Sequence, residues 1–222
     1  MGQLNVIPML ASVSQPAAPL QLSIRPAHMH DIYQVLALHR EAFADKFGAA
    51  FGANGTERGI EAMAEAWRRQ GSAALRGMFV AEADAQIIGT ITLRTWEMGG
   101  DNSGAAEMAF HQVLGTWRAM RSIFALSLLD HQIDRAEGYI TDVAVLSSYR
   151  RRGVAQAMLA RAEEEARIRR KRYIALYVSA RNRGAIDLYR GYGFIDWRVR
   201  RSLIAGWLLR QASWIFMRKE LL

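Results

Sequence analysis

The order of strands and helices along this chain predicts an α/β (α+β) fold, a mixed central sheet flanked by helices. Three observations carry that expectation. Runs rich in β-branched and aromatic residues recur at residues 86–95, 139–146 and 173–178. The last two are each followed by helical apolar spacing, at 154–170 and 183–192. The 222 residues, 51% apolar and 23% charged, suit one globular domain.

Leu20 to Arg25 alternates apolar and polar residues and reads as a first strand, ended by Pro26. Asp31 is placed to cap a helix whose apolar face is Ile32, Val35, Leu36, Leu38 and Phe43. After breaks at Gly48, Gly52, Asn54 and Gly55, a second helix starts near Thr56. It runs through Ile60, Met63, Ala64 and Trp67 to a stop near Gly71. Residues 74–83 and 86–95 read as two strands joined by a turn at Asp84. A glycine-rich loop at 99–104 leads to a helical insertion around 105–133. Its apolar stripe through Trp117, Phe124 and Leu129 is wide enough to cover a pocket or to form a homodimer contact. His111 and His131 flank the insertion and read as ordinary packing or surface histidines. Beyond it come a strand (139–146), a turn (147–153), a helix (154–170) burying Met158, Leu159, Ala162 and Ala166, a strand (173–178), a shorter helix (183–192) and last strands at 194–199 and 214–217. Residues 1–19, with Pro8, Pro16 and Pro19, are expected to form a mobile arm ahead of a single domain at 20–222.

Charge and composition narrow the function. The net charge is +8, with acids outnumbering bases in residues 1–133 and the reverse in 134–222. A basic C-terminal part fits nucleic acid, an anionic membrane or a polyphosphorylated small molecule, and also a solvated face with no partner. The chain has no cysteine, which excludes disulfides, thiolate zinc sites and a cysteine nucleophile. No metal site is expected. Residues 1–22 lack a basic leader and a long apolar core, and no run of about 18 apolar residues occurs. The expectation is a cytoplasmic protein without a membrane span.

The informative motif is Arg150-Arg151-Arg152-Gly153-Val154-Ala155, which follows a strand and opens a helix. A helix start presents unpaired N–H groups and partial positive charge. Gly153 allows either close approach of a ligand or a backbone conformation that other residues resist. Ala155 keeps the next turn bare, and the arginines add donors. This is a pyrophosphate-binding recipe, though a surface loop with an arginine cluster fits the same residues. It is neither a Walker loop nor a dinucleotide fingerprint, since the Lys-Ser/Thr ending and two of the three glycines are missing. Further on, Asn182 lies between a strand and a helix, placed either to cap that helix or to bind the amides of an extended ligand. Tyr189 lies two turns on along the same face, where it is either packed or able to reach a thioester sulfur.

In order and spacing these segments resemble the GNAT superfamily of acetyl-CoA-dependent N-acetyltransferases. Arg150-x-x-Gly153-x-Ala155 is similar to the family's pyrophosphate turn. Thr141-Asp142-Val143-Ala144-Val145 resembles the strand that pairs with the pantetheine arm. Asn182, Ala185, Leu188, Tyr189 and Gly193-Phe194 resemble its second signature. The resemblance implies a GNAT-like acyl-CoA N-acyltransferase fold and a transferase that moves the acetyl group of acetyl-CoA directly to an amine. Val143, Ala144, Val145, Arg150, Arg151, Arg152, Gly153, Val154, Ala155, Asn182, Ala185 and Tyr189 would hold the acetyl-CoA. Amides near Val143, Ala144 and Val145 would polarise the thioester carbonyl, and Tyr189 would serve the departing sulfur. The family's usual base position on the strand falls here on Tyr139. Glu137, one strand period earlier on the same face, is the candidate base, with a surface charge as its other reading. Glu41 and Asp45 lie where the family recognises its acceptor. A non-catalytic acyl-CoA sensor is the alternative. A nucleic-acid binder fits less well, because lysines are few and the arginines gather at the turn.

Overall fold

The computed structural model describes residues 21–44, 56–99, 108, 111–113, 131–201 and 213–221. Seven strands form one sheet: β1 (Ser23–Pro26), β2 (Met78–Ala83), β3 (Gln86–Thr95), β4 (Glu137–Val145), β5 (Tyr173–Ser179), β6 (Ile195–Arg201) and β7 (Ser213–Glu220). Their order in space is β1-β2-β3-β4-β5-β7-β6. Helices α1 (Ile32–Ala42) and α2 (Thr56–Gln70) cover one face, and α3 (Val154–Ile168) and α4 (Arg183–Gly191) the other.

Strand alternation sorts the two cores. On β2, Phe79 and Ala81 point towards α3, while Met78 and Val80 point towards α1 and α2. Val154, Met158, Leu159, Ala162 and Ala166 give α3 one fully buried stripe. Asp84 and Ala85 both take positive φ, 51° and 61°, at the β2–β3 turn, as a two-residue hairpin with the right twist requires.

The sheet is interrupted at one place. β4 and β5 are parallel and pair only at Glu137–Tyr173, Gly138–Ile174 and Tyr139–Ala175. β5 continues fully paired with β7, and β4 with β3. The ladder therefore ends inside the sheet, where residues 140–145 turn one edge away from any strand partner. The same stretch of β4 carries a bulge. Thr90 pairs with Ala144 but Thr92 with Thr141, so β4 holds one residue more than β3, and Asp142 sits in the left-handed region at φ 54°. A bulge bends and twists its strand, which turns β4 out of register with β5.

Several boundaries differ from those expected. Asp31 does not cap α1 with its side chain; its buried carboxylate takes Arg25 at 2.7 and 3.0 Å and the His28 amide at 2.7 Å. β2 begins at Met78 because Gly71–Leu75 form a 3-10 turn, with Gly71 at φ 62° ending α2. Of the insertion, Met108 and residues 111–113 are helical and exposed or half-exposed. Gln112 and the Val113 carbonyl accept hydrogen bonds from Arg69 and Arg58 of α2. His131 and Ile133 lie outside any helix. The apolar stripe through Trp117, Phe124 and Leu129, the N-terminal arm and Asp45 lie outside the described residues. Among the described residues no helix is long and apolar enough to cross a membrane.

Candidate active site

Because β4 and β5 are parallel and each is followed by a helix, α3 and α4 both start at the end of the sheet where it opens. The α3 start is bare. Gly153 is its N-cap in the left-handed conformation, φ 81° and ψ −5°, and Arg151 is also left-handed at φ 63°. No side chain caps the helix. The first intrahelical bond, Ala157 N–H to the Gly153 carbonyl at 3.0 Å, leaves the amides of Val154, Ala155 and Gln156 ahead of it. A Cβ built on Gly153 meets nothing within 4 Å. Of the two reasons for glycine, the structure therefore selects backbone conformation; the space in front is open.

The arginines surround this opening unequally. Arg150 Nε donates to the Val145 carbonyl at 3.2 Å, folding back over the end of β4. Arg152 stacks on the Tyr149 ring at 5.4 Å, and Arg151 is exposed. Glu41 lies on the surface, where it has a structural task. Its carboxylate accepts the Ser147 amide at 2.8 Å and so pins the 3-10 turn Ser147–Tyr149 to α1, and this bond holds its pKa below the usual carboxylate range.

A buried hydrogen-bond chain holds the bulge. Thr90 Oγ1 donates to the Asp142 carbonyl at 2.9 Å, and His39 Nε2 lies 2.9 Å from the same oxygen. With the hydroxyl hydrogen directed at Asp142, His39 must supply the other one, which fixes its Nε2–H tautomer. His39 and Thr90 are 3% and 0% exposed. The Asp142 side chain is exposed and bonded to Thr141 Oγ1. Past the bulge, Ala144 returns to the α1 face while Val143 and Val145 pack towards α3. His39 and Thr90 were not singled out in the sequence; a lone histidine on an apolar helix face gives no sign that its partner is the distant β3 residue.

The α4 start is closed by comparison. Asn182 Oδ1 accepts the Ala185 amide at 3.2 Å, an N-cap, which leaves the carboxamide NH₂ pointing elsewhere. Two turns on, the Tyr189 ring is 7% exposed and lies edge-on to Phe194 at 5.8 Å. Its hydroxyl has no hydrogen-bond partner among the described residues and is not among their enclosed unpaired atoms. Burial pushes its pKa up to about 12. Arg190 is bound to Asp196 on the exposed surface and so is not held ready for a phosphate.

Glu137 is the sharpest departure from a surface reading. It is 1% exposed, its two oxygens lie 2.9 and 3.0 Å from His131 Nε2, and Oε2 also accepts the Asp134 amide at 3.1 Å. An ionised carboxylate only accepts, so His131 donates through Nε2. The His131 ring packs on Tyr139 at 4.4 Å and on Phe216 at 5.3 Å. Tyr139, at the position where the family's base would fall, is buried. Desolvation first, then neighbouring Tyr177 and Glu137, raise its pKa well above the ordinary phenol value, so it stays protonated. His131, expected as a packing or surface residue, does pack on the Tyr139 and Phe216 rings, and it also bonds Glu137 and lines a pocket of about 520 Å³ with Gln132, Tyr177, Arg198, Val199 and Arg200. Among the described residues no cluster of metal-ligating side chains occurs.

A sheet that opens between two parallel strands, beside an uncapped helix start, defines the acyltransferase class that the sequence resembles. Residues 36–194 match the model of the Acetyltransferase (GNAT) family, and the chain belongs to that family. Solved structures share the fold. The crystal structure of an acetyltransferase superposes with a TM-score of 0.61 at 20% identity, covering 90% of this chain and 100% of its own. PaiA N-acetyltransferase from Thermoplasma acidophilum, in complex with coenzyme A, gives 0.57 at 15% identity, covering 91% and 100%. Ribosomal-protein-alanine N-acetyltransferase from Brucella melitensis gives 0.52 at 19% identity, covering 90% and 99%. No curated protein matches the sequence.

Proposed function

We propose that this chain transfers the acetyl group of acetyl-CoA directly to an amine. The observation that carries the reading is the opening of the sheet after three β4–β5 pairs, with the bare α3 start at its end. The pyrophosphate would lie against the amides of Val154, Ala155 and Gln156, with Arg150, Arg151 and Arg152 around it. The pantetheine amides would take the strand partners that β4 lacks beyond Tyr139, with Asn182 and Ala185 on the α4 side. The thioester carbonyl then meets the bulge. Its oxygen would accept from β4 amides near Val143, Ala144 and Val145, held in place by the His39–Thr90–Asp142 chain.

In the transfer the amine nitrogen forms a bond to the carbonyl carbon, and the carbon–sulfur bond breaks. The amine proton leaves through His131, and Glu137 stabilises the resulting imidazolium. Glu137 is thus a positioning residue and His131 the base. Tyr189 donates a hydrogen bond to the departing sulfur. A phenol near 12 facing a thiol near 8.5 makes complete proton transfer uphill by roughly 5 kcal/mol. The role of Tyr189 is therefore to stabilise a thiolate rather than to surrender its proton. No covalent enzyme intermediate is required.

Thiol release from acetyl-CoA with a panel of amines tests the reading. Glu137→Gln and His131→Ala are each expected to lower kcat by about 10²-fold or more, with CoA affinity retained. Binding of acetyl-CoA without turnover on any amine would favour the sensor instead. Unchanged turnover in both variants would remove the proton path.

A further inference from the structure

We infer that the acceptor is a small amine carrying an oxyanion, a carboxylate or a phosphate, with the anion seated against Arg198 and Arg200. The inference rests on the acetyl-transfer reading and names the substrate class of its pocket. The pocket, about 520 Å³, is within the size range of small-molecule sites, and among the described residues no acid lines it.

The register of β6 aims both arginines into it. Asp196 pairs with Met217, but the next pair is Arg198 with Phe216, followed by Arg200 with Trp214. Trp197 is therefore an extra residue, a bulge on β6. Without it Trp197 would oppose Phe216, and Arg198 would point to the α3 face. Phe216 and Trp214 pair with Tyr177 and Ser179 on β5, so the bulge puts the arginines on the face that carries Tyr177 and Tyr139.

Arg198 is braced as a binding group. Its Nη2 donates to the Tyr177 hydroxyl at 3.2 Å, and its guanidinium lies 4.9 Å over the Phe216 ring. It forms no ion pair among the described residues. The charges around it are accounted for on other sides. Asp196 is on the opposite face with Arg190, Arg218 is paired with Glu220, and Glu137 is paired with His131. Arg94, another cation, lies opposite Tyr139 in the β3 ladder. A planar donor fork fixed over an aromatic ring, paired with no carboxylate among the described residues, suits an incoming oxyanion. His131 lines the same pocket. A small acceptor can therefore place its amine at the base and its anion at the arginines, which orients the nitrogen towards the opening of the sheet.

Matched amine pairs test this with the full chain: β-alanine against its amide, phenylalanine against phenylalaninamide, and O-phosphoethanolamine against ethanolamine. Thiol release gives kcat/KM, and thermal shift in the presence of CoA gives binding without chemistry. The anionic member of at least one pair is expected to win by about 10-fold or more in kcat/KM and to raise Tm. Arg198→Ala with Arg200→Ala should erase both effects while CoA affinity persists; Arg198→Lys should retain part of the preference. Whether the carboxylate or phosphate pair responds identifies the anion. Equal or better use of the neutral members, or a preference that survives the double variant, overturns the inference while leaving acetyl transfer intact. An arginine-dependent Tm shift without any transfer keeps the anion site and rejects the transfer reading. Neither shift nor transfer rejects both.

Discussion

Helices α3 and α4 begin at the same end of the sheet, yet their first turns are built for opposite purposes. At α4 a side chain, Asn182, caps the helix and satisfies the Ala185 amide at 3.2 Å. At α3 the cap position is Gly153, φ 81°, and no side chain occupies the orphan amides. A glycine in place of a side-chain cap forgoes only about 0.3 kcal/mol of helix stability. It gains a site where N–H groups and the helix dipole act on a ligand instead. In the proposed reading the α3 start takes the charged end of acetyl-CoA and the α4 start its neutral thiol end.

The largest expected effect breaks the open start. Gly153→Glu should weaken CoA binding by about 10²-fold or more, since it sets a carboxylate at the phosphate site and a Cβ on a left-handed residue. Calorimetry on the folded variant measures it; near wild-type affinity would mean that α3 does not read the phosphates.

The next effect falls on the α4 side. Tyr189→Phe should lower kcat roughly 10²-fold while the CoA dissociation constant stays put, the signature of a contact made mainly in the transition state. Single-turnover rates at saturating amine separate chemistry from product release. Equal rates would leave Tyr189 as packing against Phe194.

The same residue predicts an alkaline limit. Its pKa is raised to about 12 from an unfolded value near 10. The neutral form is favoured in the fold, so this stability is complete below pH 10 and is lost as pH rises from 10 through 12. The loss is on the order of 3 kcal/mol. Urea melts across that window should show it in the wild type and less of it in Tyr189→Phe. No loss of kcat below pH 10 should trace to this phenol.

The smallest effects compare the two starts directly. Asn182→Ala should cost about 1 kcal/mol of stability, read as a Tm drop of a few degrees, because it uncaps α4. Raising salt from about 0.1 M to 1 M shortens the screening length from roughly 10 to 3 Å. CoA binding at the exposed arginines should weaken several-fold, while the effect of Tyr189→Phe on kcat should not change. A salt-insensitive affinity would shift the weight from the arginines to the helix amides.

Much of this was legible in advance, and what was not has a common cause. The α3 turn and Asn182–Tyr189 were readable because each is local: a strand, a special residue and a helix start within a few positions. The buried stripe Met158, Leu159, Ala162 and Ala166 came from helical period alone. Glu137 was visible only as a candidate, because its burial depends on His131, six residues away across a non-helical turn. His39 and Thr90 gave no signal, being 51 residues apart. The β6 bulge was hidden too, since an extra residue in a strand shows only against its partner's register. The Arg190–Asp196 ion pair joins a helix to the next strand and shows only once both are placed.

By itself, then, the sequence determined the class of fold, the order of elements around the site and the bare backbone of the α3 start. Those follow from short-range rules: side-chain period, glycine's access to positive φ and the amides of a helix start. The tertiary structure alone decided where the sheet opens, which face each side chain of β4 and β6 presents, and which acids and bases are paired. A strand has period two, so one inserted residue reverses every side chain beyond it. At Asp142 and Trp197 that reversal is fixed by pairing with β3 and β7, strands far away along the chain.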